Sequence, residues 1–139
     1  MKHIVIIAAF FSLAILSVGE NLVKSENWKF NRPAQTVRQA DGVFRMTAPD
    51  DKTDLRLLQT ITLDRKEIVP IRFGATFRTV SGNQYSRVED TYGLLMNLRY
   101  TDGTSTNYIS VGATPGKQDW ESIARTYIPK RPVAKAEIY

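Results

Sequence analysis

The side chains with the chemistry to hold a ligand recur on alternating positions: Arg72, Thr76 and Arg78, then Asn97 and Arg99, then Tyr108. Guanidinium, amide and hydroxyl groups donate to and accept from neutral hydroxylated ligands, and Tyr108 adds an aromatic surface. Trp28, in the short aromatic stretch Asn27 to Asn31, is a further candidate, because an indole face stacks on apolar C–H surfaces. Tyr85, with Arg87, Glu89, Asp90 and Tyr92, forms a polar loop cluster of the kind that carries binding at the ends of sheets.

Acid–base and metal chemistry find little to work with. The chain has one histidine, His3, and no cysteine. Beyond the first residues there is no imidazole base, no thiolate nucleophile and no soft metal ligand. Glu89 and Asp90 are the nearest thing to a carboxylate pair, but glycoside hydrolysis needs two carboxyls facing across a cleft, about 5–9 Å apart. Adjacent residues diverge instead. Asp50, Asp51 and Asp54 lack the spacing and glycine of a calcium loop and read as a solvated acidic turn. The residues thus predict a protein that binds rather than catalyses.

The N-terminus predicts a compartment. Met1-Lys2-His3 is a basic start, Ile4 to Leu16 is an apolar run, and Ser17-Val18-Gly19 places small residues where a signal peptidase reads. That run is short for a membrane helix of about 20 residues. Residues 1–19 are therefore expected to be a cleaved signal peptide. Residues 20–139 form one secreted (extracellular or periplasmic) domain with no membrane span after cleavage. Without cysteines, that domain must be held by its apolar core alone. The net charge of +5 is spread along the chain without a basic stripe, which argues against nucleic acid as a partner.

The elements that must position the candidate residues are strands. Leu55, Leu57, Ile61 and Leu63 alternate, with Gln59 on the same face, and a buried Gln there is expected to bond neighbouring backbone. Ile71, Phe73, Ala75 and Phe77 alternate against Arg72, Thr76 and Arg78. Leu94, Met96, Leu98 and Tyr100 alternate against Leu95, Asn97 and Arg99, and Ile109, Val111 and Ala113 against Tyr108 and Ser110. Asp41-Gly42, Asp102-Gly103 and Pro115-Gly116 supply turns. An edge strand over Asn27–Asn31, a hairpin over Thr36–Thr47 and a strand over Trp120–Ile128 complete the set. About eight or nine short strands and no helical periodicity predict an all-β, two-sheet antiparallel β-sandwich. If the strands 68–79, 92–100 and 107–113 share one sheet, all six alternating candidates project from a single face. Ala136 and Ile138 read as the start of a further strand, so a final strand or hairpin is expected beyond Tyr139.

Tyr100-Thr101-Asp102-Gly103-Thr104, Asp119-Trp120-Glu121 and Pro129-Lys130-Arg131-Pro132-Val133, with Asn21-Leu22-Val23 and Trp28 before them, carry a resemblance. Together they resemble the galactose-binding-like jelly rolls of carbohydrate-binding module families 4 and 9, over most of residues 21–139. The resemblance implies a jelly-roll sandwich, a polysaccharide or oligosaccharide partner, and no catalysis. It also implies that the Asp-Trp pair packs at a strand start, so Trp120 is expected to be a packing residue. Such domains end in a strand pair with a glycine turn and an aromatic-Asp-Asp stretch, resembling the source of ligands for a structural calcium ion. This chain ends before that pair, which puts the calcium in doubt. The alternative is an extracellular structural or protein-interaction sandwich without a sugar ligand, since the family holds both kinds.

Overall fold

The computed structural model describes residues 4–15, 22–39, 43–49, 55–81, 93–112 and 119–139, the first of these for its backbone only. Asp41-Gly42, Asp50 to Asp54, Tyr85 to Tyr92 and Pro115-Gly116 lie outside the described residues. Ten strands are present among the described residues: β1 (Ile4–Ile15), β2 (Lys29–Phe30), β3 (Thr36–Arg38), β4 (Phe44–Ala48), β5 (Leu57–Thr62), β6 (Ile71–Ser81), β7 (Gly93–Tyr100), β8 (Ser105–Gly112), β9 (Glu121–Tyr127) and β10 (Val133–Ile138). They form two five-stranded antiparallel sheets, a front sheet β3-β4-β1-β6-β9 and a back sheet β2-β5-β10-β7-β8. The protein is an all-β sandwich.

Period-two alternation builds the core. Phe44, Met46, Ile71, Phe73, Ala75 and Phe77 point inward from the front sheet. Leu57, Ile61, Leu94, Met96, Leu98 and Ile138 meet them from the back sheet. Phe73, Met96 and Ile138 are fully buried, as strands with one face on the core require. β10 lies at the centre of the back sheet, between β5 and β7. A register shift between Val133 and Lys135 resets its phase, so that Val133 and Ala136, three residues apart, both face the core. The carbonyl of Ala134, inside that shift, accepts from the N–H groups of Leu63 and Asp64.

Gln59 is buried at 2 % exposure on the inward side of β5. Its amide closes a two-bond ring on one residue: Oε1 accepts the Lys24 N–H at 2.9 Å, and Nε2 donates to the Lys24 carbonyl at 2.7 Å. Polar burial is thereby satisfied by backbone, as the sequence predicts. The same pair of bonds pins the entry segment, where Trp28 caps the core edge-on to Phe44 with ring centres 6.4 Å apart.

The apolar run with the features of a leader forms β1, between β4 and β6. Ile, Val and Phe favour extended backbone, and a short unbroken apolar run is compatible with a strand. Hydropathy alone does not separate that role from a leader core.

Candidate functional site

β6 and β9 set the candidate face. Their register pairs Arg72 with Thr126, Gly74 with Ala124, and Thr76 with Ser122, ending at Phe77 opposite Glu121. Residues paired in this way share a face, and because Phe73, Ala75 and Phe77 are buried, Arg72, Thr76 and Arg78 project outward. Thr76 Oγ1 and Ser122 Oγ lie 2.7 Å apart in a hydroxyl–hydroxyl hydrogen bond. At the end of this row the guanidinium of Arg78 lies over the indole of Trp120, 5.1 Å from the ring centre. That is within the range of a cation–π contact. Trp120 keeps 44 % of its surface exposed, and the Nε of Arg78 is buried without a hydrogen-bond partner among the described residues.

The floor between the two arginines is low for a steric reason. A Cβ on Gly74 would stand 2.7 Å from the Ile123 carbonyl oxygen and 3.0 Å from the Ala124 Cβ. The first is closer than real Cβ contacts come and the second is tighter than most, so a glycine beside an alanine leaves a low strip flanked by Arg72 and Thr126 on one side and Arg78 and Trp120 on the other.

The six alternating candidates do not share one sheet. β6 belongs to the front sheet, whereas β7 and β8 belong to the back sheet. Arg72, Thr76 and Arg78 thus lie on one outer face of the sandwich and Asn97, Arg99 and Tyr108 on the opposite one. The chain crosses from one sheet to the other between β6 and β7, and alternation reports which face a residue takes, not which sheet its strand joins.

On the back face Asn97 is occupied by structure. Its Nδ2 donates to the Tyr139 hydroxyl at 3.0 Å and its Oδ1 accepts the Tyr108 N–H at 2.9 Å. Tyr108 adopts φ +60 where the β7–β8 register shifts between Met96 and Leu98, so the Asn97 amide stands in for ladder bonding at a bulge. The ring of Tyr108 is exposed at 74 %, and Arg99 is exposed beside Lys135 in the register. Trp28 is 7 % exposed and packed on Phe44, a core residue rather than a ligand platform. Tyr85 lies outside the described residues.

For Trp120 the resemblance implies core or rim packing at a strand start, and its place is the rim, against Arg78. It sits just ahead of β9, on the outer side of the front sheet, half open to solvent. The signal for this was in the sequence: Ile123 and Tyr127 are the apolar positions of β9, and Trp120 is out of phase with Ile123.

Two further clusters and one edge contact lie away from this face. At the β7–β8 turn, Asp102 Oδ1 accepts from the Thr104 hydroxyl at 2.6 Å and the Thr104 N–H at 3.0 Å. Arg131 Nη1 meets Asp102 Oδ2 at 3.0 Å and the Thr104 hydroxyl at 2.6 Å. The Thr104 side-chain and backbone hydrogen bonds, with Arg131 alongside, hold the Asp102 carboxyl below its ordinary value. At the same end of β7, the Tyr100 and Thr106 hydroxyls lie 2.7 Å apart, and Tyr127 of the front sheet hydrogen-bonds Tyr100. Burial, reinforced by that bond, pushes the Tyr127 phenol up. Arg125 Nη1 donates to the Ser110 carbonyl at 2.7 Å and laces the edge of the front sheet to the edge of the back one.

Among the described residues no group of three or more His, Cys, Asp or Glu gathers that could hold a metal ion. A crevice lined by Leu63, Arg65, Glu67, Val69, Ile71 and Val133 has no room for a water molecule. Among the described residues no helix is long and apolar enough to cross a membrane. No protein-family model, no curated protein and no solved structure matches this chain.

Proposed function

We propose that the protein is a non-catalytic, exported carbohydrate-binding sandwich that takes a glycan on the outer face of β6 and β9. The Arg78–Trp120 pair is the observation that carries this reading. An indole half open to solvent, with one guanidinium against it, offers a stacking surface for a pyranose C–H face. Around it, the Arg78 guanidinium, the Thr76 and Ser122 hydroxyls and Arg72 offer donors and acceptors for ring hydroxyls. The low strip over Gly74 and Ala124 suits an extended oligosaccharide lying along the strands rather than a small molecule in a pocket. The sequence resemblance to carbohydrate-binding modules and the leader features support the same reading.

Affinity electrophoresis through gels containing individual soluble polysaccharides tests it. The wild-type protein is retarded by at least one glycan. Trp120→Ala and Arg78→Ala abolish the retardation, while Tyr108→Ala, on the opposite face, leaves it intact. Retardation that survives Trp120→Ala but is lost with Tyr108→Ala moves the site to the back sheet. Retardation by no glycan removes the sugar reading and leaves the interaction-domain alternative.

A further inference from the structure

β1 fills the middle of the front sheet. It pairs with β6 from Val5 opposite Ser81 to Ile15 opposite Ile71, and with β4 from Ile4 opposite Ala48 to Ala8 opposite Phe44. No hairpin joins it to either neighbour, since β2 and β3 intervene before β4, and β5 before β6. Its register is therefore set by pairing alone and not by a turn.

β4 and β6 run parallel to one another, each antiparallel to β1. Without β1 they stand two strand spacings apart, about 9.6 Å, too far to hydrogen-bond. The back sheet repeats this arrangement. β4 leads into β5 and β6 into β7, and between β5 and β7 lies β10, antiparallel to both. Each sheet is thus a frame of two parallel strands with a third inserted between them. In the back sheet the insert is β10; in the front sheet it is the segment whose sequence marks it for removal.

That segment, IVIIAAFFSLAI, has no charge, no proline and no glycine. Such a strand donates and accepts along its whole length, and it defines what the frame accepts. Cleavage ahead of Glu20 would vacate the frame and leave the facing N–H and C=O groups of β4 and β6 unpaired. Unpaired backbone beside a core is costly.

We infer that the slot between β4 and β6 is a strand-acceptor site. Once the leader is removed, it takes in trans an extended, uncharged, proline-free apolar segment of another polypeptide, antiparallel to both walls. Backbone hydrogen bonds supply the affinity, as in strand addition to a sheet, with both edges satisfied over Ile4–Ala8 and the β6 edge alone from there to Ile15. The inference rests on the proposed export and uses the backbone edge of β6, whose outward side chains carry the proposed glycan face.

The full-length chain tests it, with a specific protease site placed over Ser17 to Glu20 and cut after folding. The freed segment is expected to co-elute with the remainder. It should then be replaced by an isotopically labelled Ile4–Ile15 peptide carrying solubilising lysine tails, scored by native mass spectrometry. The same peptide with Ile7→Pro, at a position paired with both β4 and β6 and so lacking one ladder donor, should be incorporated at least about tenfold less. Equal incorporation of the proline peptide, as expected of unspecific apolar adhesion, overturns the proposal. So does loss of the cut segment with the β spectrum and thermal midpoint of the remainder unchanged, because the frame then needs no insert. An exported protein whose N-terminus still includes Ile4 to Ile15 overturns it through the leader, whatever the polysaccharide gels report.

Discussion

Arg78 reaches across the outer surface of the front sheet and sets its guanidinium 5.1 Å from the centre of the Trp120 ring. Neither residue belongs to the core, and Trp120, just ahead of β9, comes beside Arg78 of β6 because β6 and β9 pair. The contact divides the two tryptophans into a structural one and a surface one.

Their substitutions should separate accordingly. Trp28→Ala removes a buried ring from the core and is expected to cost about 3–5 kcal/mol in urea unfolding. Trp120→Ala, on the surface, should cost no more than about 1 kcal/mol, the scale of an exposed cation–π contact. In a Trp28→Phe variant the remaining fluorescence should be readily quenched by acrylamide, and in Trp120→Phe it should be protected.

Gln59→Leu preserves bulk but removes both bonds to Lys24. Leaving a backbone N–H and carbonyl unmatched in a partly buried place should cost about 1–3 kcal/mol. Hydrogen exchange at the Lys24 amide should quicken with it. An unchanged exchange rate would mean that the amide ring does not secure the entry segment.

Gly74→Ala should destabilise by about 1–3 kcal/mol, the range for overpacking, because the new Cβ meets backbone of β9 rather than a flexible side chain. Thermal midpoints of the two proteins check this. Gly103→Ala probes a different cause: nothing stands within 4 Å of the added carbon, but its φ of +86 disfavours any side chain. Its cost should be conformational alone, about 1 kcal/mol.

Two groups give opposite pH signatures. Asp102 titrates below its ordinary value when folded, so the unfolded chain binds more protons in that window. Its contribution is present above the ordinary carboxylate range and is lost as the pH falls through the folded value. Because the carboxyl is exposed, the effect is small. The drop in urea midpoint from pH 5 to pH 3 should be smaller in Asp102→Asn than in the wild type. Tyr127 is raised, so its contribution is complete below about pH 10, the ordinary tyrosine value, and is lost as the pH climbs towards the folded value. Tyr127→Phe should flatten the alkaline side of the stability profile.

Much of the fold is legible in the chain because alternation is a local signal. The inward sets Ile71-Phe73-Ala75-Phe77 and Leu94-Met96-Leu98-Tyr100 are buried where period two puts them. Gln59 takes backbone partners because a buried amide has few other options. The candidate site was legible only in part. Arg72 and Arg78 face outward together, but they lie on the opposite face from Tyr108, and the Asn97 amide is spent on a bulge that no residue pattern announces.

The amino-acid order by itself determined that the chain forms strands, which side of each strand meets the core, and that no histidine or cysteine chemistry is available beyond His3. Tertiary structure alone decided which strands become neighbours. It parted β6 from β7 and β8, brought Trp120 to Arg78, sent Trp28 inward, and seated Ile4–Ile15 between β4 and β6. The physical reason is that side-chain alternation is written residue by residue, whereas strand pairing is won by hydrogen bonds and packing between segments far apart in the chain.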